Sequence, residues 1–96
     1  MKTYLFEFFV FPNDTKKQRP IFIKAQSEGA EIGEQALREA AGAIAAHDIP
    51  EMKPLAANPG RLLETSDEQP PVQYLRHKDH PGVMVWESNR GPTQSR

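Results

Sequence analysis

Residues Tyr4–Phe11 read Tyr-Leu-Phe-Glu-Phe-Phe-Val-Phe, apolar at every position except Glu7. In an extended chain successive side chains point to opposite faces. Tyr4, Phe6, Phe8 and Val10 then share one face, and Leu5, Glu7, Phe9 and Phe11 share the other. A half-exposed strand alternates apolar with polar; one that is apolar on both faces predicts cover on both sides. A single helix supplies one cover. The other must come from the linker, a twin subunit or a foreign molecule.

Pro12, Asn13, Asp14 and Pro20 punctuate the stretch that follows. Ile21–Gln26 reads as a second strand, with Ile21, Ile23 and Ala25 on one side and Phe22, Lys24 and Gln26 on the other. The two strands predict an antiparallel hairpin whose tip carries Lys16, Lys17 and Arg19. Ser27 is the expected N-cap of a helix over Ala30–His47, with Glu28 and Glu31 where the helix dipole favours negative charge. Gly33, Ala36, Leu37, Ala40, Ala41 and Ile44 form its apolar stripe, built of small residues that permit close approach to the sheet. Glu34 and Arg38 stand four apart as an ion pair, and Pro50 stops the helix.

Pro50–Pro71 holds five prolines and no period. Long connections of this kind are often functional or covering segments. Met52, Leu55, Leu62 and Leu63 are the residues expected to lie across the open face of the sheet, and Arg61–Thr65 reads either as a short strand or as one helical turn. Val72–His77 and Val83–Glu87 read as the last two strands, joined by a turn at Lys78–Gly82 in which Pro81 precedes Gly82. Ser88–Arg96 reads as a frayed tail. The pattern predicts an α+β fold: one domain over residues 1–88, an antiparallel sheet of about four strands with one helix on one face, and a flexible 89–96 tail.

With 96 residues, a net charge of −1 and no cysteine, the chain has no disulfide framework, no thiolate nucleophile and no field that would pull it as a whole to nucleic acid. These features, together with Glu7 interrupting the N-terminal apolar run and the lack of a small-residue cleavage site, point to a cytoplasmic protein without a signal peptide. No apolar run reaches the roughly 18 residues of a membrane span, so no membrane partner is expected.

Catalytic motifs are missing. There is no nucleophile elbow, phosphate loop or dinucleotide fingerprint. Gly29 and Gly33 read as packing glycines. Glu7, the one acid inside an apolar element, reads as an exposed edge of the strand's second face. His77 and His80 form His-x-x-His, but a zinc site wants a third protein ligand, nothing in the pattern brings His47 near, and Arg76 and Lys78 oppose a cation. No enzyme activity, metal, cofactor or small-molecule substrate is expected.

Charge divides the chain. Residues 1–24 carry five basic and two acidic side chains, and residues 25–50 carry one basic and five acidic. Two functional readings use this division. In the first, the chain binds another protein, through the acidic helix (Glu31, Glu34, Glu39) or through aromatic anchors Phe9, Phe11, Phe22 and Trp86. In the second, Lys16, Lys17, Arg19, Lys24 and Arg76 contact phosphates while Tyr74 or Trp86 stacks on a base. A pI near 6.3 ranks the second below the first. A third class is a homodimer that buries the second sheet face.

Met1-Lys2-Thr3-Tyr4-Leu5, then Ile21-Phe22-Ile23-Lys24-Ala25 running into the Ala-rich stretch Ala30–Ala46, resembles small phage-borne proteins of the anti-CRISPR type. The resemblance covers the first half of the chain. It implies a non-enzymatic inhibitor that occupies a surface of a host nucleoprotein complex. Such families share no fixed binding residues, so none is carried over.

Overall fold

The computed structural model describes residues 2–10, 18–28, 32–52 and 59–88. Phe11, Lys16, Lys17, Glu31, Leu55 and the 89–96 tail lie outside them. The element order is β1 (Thr3–Val10), β2 (Arg19–Ser27), α1 (Glu34–Asp48), β3 (Arg61–Ser66), β4 (Leu75–His77) and β5 (His80–Ser88). All five strands form one antiparallel sheet in the order β3-β1-β2-β5-β4. The predicted α+β architecture stands, with five strands instead of four.

The helix packs chiefly on β2 and β5. Between helix and sheet lie Phe6, Phe8 and Val10 of β1, Ile21, Ile23 and Ala25 of β2, Val83 and Val85 of β5, and Leu37, Ala40, Ala41, Ile44 and Ala45 of α1. This is the even-numbered face of β1, as the alternation requires. Small helix residues bring the backbones close: a Cβ on Gly42 would sit 3.1 Å from the Phe8 ring. Gly33, by contrast, caps the helix in open space and packs on nothing. Ala36 is exposed and does not belong to the buried stripe.

Several boundaries differ from the sequence pattern, each for a local reason. Ser27 does not cap the helix. It ends β2 opposite Val83, and the Glu28 N–H donates to the Gly82 carbonyl at 2.6 Å, so ladder pairing takes the segment the cap would need. Arg61–Ser66 is a strand, paired with β1, and a bulge at Leu63 shifts its register between Leu5↔Glu64 and Phe6↔Leu62. The turn of the last hairpin is Lys78–Asp79, closed by the pair His77↔His80. Pro81 and Gly82 are strand residues, accommodated where β5 bulges away from β4. Val72 is not in a strand at all and is 99% exposed.

The second face of β1 is also covered. Leu5 is 2% exposed, and Thr3, Gln26, Met84 and Trp86 on the same face are buried with it. The cover is not the apolar set expected from the sequence. Met52 belongs to the helix-side core, and Leu62 and Leu63 sit in the edge strand β3. Residues 67–74, here called the strap, do the covering instead. They leave β3 at one edge of the sheet and enter β4 at the other, so they must cross β1, β2 and β5. The Glu68 carbonyl accepts from Thr3 Oγ1 at 2.6 Å and from Gln26 Nε2 at 3.4 Å, while Lys24 Nζ donates to Glu68 Oε1. All three donors stand on the face away from the helix, which places the crossing there.

Gly60, just before β3, has φ of 75°, and a Cβ there would run into the Phe8 ring. Gly60→Ala combines left-handed strain with overpacking, and should lower stability by about 2–4 kcal/mol in chemical denaturation. Thr3→Val keeps the shape of the side chain but leaves Gln26 Nε2 and the Glu68 carbonyl short of a partner. It should cost about 1–3 kcal/mol and speed amide exchange in residues 67–69.

Candidate functional site

A groove of about 870 Å³ opens beside β5, within the size range of ligand sites. Its apolar surface comes from Ile23 of β2, Ile49 just after α1, Leu75 of β4 and Val85 of β5. Pro71, Val72, Gln73 and Tyr74 of the strap form the outer wall, and Trp86 and Glu87 line the β5 side. Asp48, at the last turn of α1, completes the rim.

Topology creates this groove. β4 begins only at Leu75, paired with Val85. On its other flank β5 remains paired with β2 as far as Phe22↔Ser88. At Trp86 and Glu87, therefore, β5 has a strand beside it on one flank and the groove on the other. The charged side chains lining the groove are Asp48 and Glu87, both acidic and exposed, and neither has an ion-pair partner among the described residues.

The expected anchors are distributed differently. Trp86 is 8% exposed and buried under the strap side of the sheet, so it is not a protruding anchor. It opposes Lys24 across the ladder and contributes to the groove from within. Phe9 and Phe22 are half-buried on the same face as Leu5, towards the far end of the sheet from Thr3. Glu34 is half-buried and accepts from Arg38 Nη1 at 2.7 Å, and Glu39 is exposed and accepts from Gln35 Nε2. The pairing of Glu34 with Arg38 leaves the described part of the helix less acidic than its sequence neighbourhood.

The basic candidates are not gathered into one patch. Arg19 is exposed at the start of β2, whereas Lys24 is paired with Glu68. Arg76 lies on β4, beyond β5. Its guanidinium donates to both Glu28 carboxylate oxygens, to Tyr74 Oη and to the Pro81 carbonyl, and packs over the Tyr74 ring. The hydrogen bond to Tyr74 and then the one to Glu28 hold the Arg76 pKa above its ordinary value. These contacts tie the strap's end to the last hairpin.

Two placements escaped sequence reasoning. Glu7 is not an exposed edge: its side chain is 13% exposed and accepts from Arg61 Nε at 2.8 Å, which joins β1 to β3. His47, at the end of α1, meets His77 of β4 ring to ring, with centroids 5.0 Å apart. His77 Nδ1 accepts from the Asp79 N–H at 3.1 Å. No group of three or more metal-ligating side chains is arranged to hold an ion among the described residues, and no helix among them is long and apolar enough to cross a membrane.

Compared with known protein families, with curated proteins and with solved structures, the chain matches none.

Trp86 is the chain's single tryptophan and lines the groove, so its emission reports on this site. Free protein should emit to the blue of an exposed indole and resist acrylamide quenching. Thr3→Val, by loosening the strap, should increase quenching with the sheet intact by circular dichroism.

Proposed function

We propose that the chain is a small non-enzymatic protein-binding module and that the groove beside β5 is its docking site. The observation that carries this reading is the combination of an apolar floor with Val72, a large aliphatic side chain 99% exposed on the groove's wall. An isolated exposed apolar residue is ordinary, but one that borders a preformed apolar groove is what a partner would cover. The resemblance to phage-borne inhibitors narrows the partner to a component of a host nucleoprotein complex.

The aromatic end of the far face supports a second reading. Phe9 and Phe22 are half-buried at diagonal positions of the β1–β2 ladder, with Pro20 exposed opposite Phe9. A homodimer joined there would bury them. Light scattering that shows only monomer at high concentration removes that reading.

Affinity capture from a host lysate should recover a stoichiometric partner with the wild-type chain. Val72→Ser, which touches no buried residue's packing and adds no charge, should fold normally and lose that partner by about tenfold or more in affinity. Retention of the partner by Val72→Ser moves the docking surface away from the groove.

A further inference from the structure

We propose that the groove takes an extended, positively charged peptide, which adds to the sheet beside Trp86 and Glu87. The inference rests on the groove being the docking site and goes on to name the chemistry of its occupant.

Three observations converge. The first is the sheet edge. With β4 starting at Leu75, the β5 backbone from Trp86 to Glu87 faces the groove instead of a strand. A chain laid there in extended conformation continues the antiparallel ladder, the mode in which main-chain hydrogen bonds supply affinity and alternate side chains supply selectivity. The second is charge. Asp48 and Glu87 supply the groove's only charged side chains among the described residues, and both are acidic. Phosphates of nucleic acid and anionic lipid surfaces are repelled by such a rim, whereas lysine or arginine is attracted.

The third observation sets the alternation. Glu87 opposes Ile23 and stands on the helix side of the sheet, towards Asp48 at the helix end. Trp86 opposes Lys24 and stands on the strap side. A strand added beside β5 places its successive side chains on these same two sides. The peptide residue across from Glu87 is therefore basic, and the next one, across from Trp86, is apolar. A basic residue opposite Glu87 makes the favourable cross-strand pair of opposite charges. The occupant is a segment of a partner protein with alternating basic and aliphatic residues.

The test titrates the full chain with three capped five-residue peptides, followed by Trp86 emission. One alternates lysine with valine, one glutamate with valine, and one serine with valine. Two further peptides are the lysine form N-methylated at alternate positions, one in each phase. The lysine peptide should shift the emission saturably, with the glutamate peptide weaker by about tenfold or more. Asp48→Lys with Glu87→Lys, both at exposed positions, should reverse that preference. One phase of N-methylation should abolish binding and the other should spare it, because only one set of amides faces the edge.

Equal binding of the three charge types, with all of it lost in Val72→Ser, overturns the basic occupant while the groove remains the docking site. Charge preference unaffected by the double reversal does the same. Equal tolerance of both N-methylation phases overturns the added strand. Binding indifferent to Val72→Ser, or no emission change with any peptide, overturns the groove itself. Dimer formation by the free chain that competes with the lysine peptide assigns the groove to a second copy and overturns the foreign peptide.

Discussion

A strand that is greasy on both faces has to be covered twice, and the rest of this fold follows from that constraint. The even face of β1 is served by the helix, through Phe6, Phe8 and Val10. The odd face is served by the strap. This second cover is polar where it can be tested: Thr3, Gln26 and Lys24 all converge on Glu68. The arrangement is economical in residues, because a short crossing segment with one well-placed carbonyl satisfies buried donors on two strands. It is also sensitive, since buried polar groups cost most when one member of the set is removed. Gln26 Oε1, buried without a hydrogen-bond partner among the described residues, marks where the set is incomplete.

The groove is a by-product of that crossing. Because the strap spends residues 67–74 traversing the sheet, β4 starts late and pairs with only part of β5. The end of β5 is left with a wall of connector on one flank and the helix terminus above it. Cover for β1 and an open site beside β5 are thus two outcomes of one path, and a change that shortens the strap would trade one against the other.

Alternation made the hairpin, the two-faced β1 and the Ala-rich helix legible, because burial on this scale writes itself into apolar periodicity. The need for a second cover was equally legible from Leu5. What hid was the identity of the cover. The sequence pattern nominates Met52, Leu55, Leu62 and Leu63 on hydrophobicity, whereas the structure uses the backbone of Glu68, and backbone acceptors leave no trace in residue type. The same limit applies to the groove. Val72 reads as the start of a strand, and nothing local says that β4 begins only at Leu75. Glu7 was misplaced because its partner Arg61 is distant in sequence and meets it only once β3 joins the sheet. His47 was likewise remote from His77 until the helix was laid on the sheet.

The pairing of β2 with β5 joins the first third of the chain to its last described strand, Phe22 meeting Ser88 and Ser27 meeting Val83. The centre of the sheet is therefore zipped by residues made after the other described strands. Until Val83–Ser88 has emerged, the nascent hairpin holds an apolar strand with an unclosed hydrogen-bonding margin, the condition under which edges recruit other chains. Fragments ending before β5 would keep this margin open, so the strand that lines the groove also closes the free side of the hairpin.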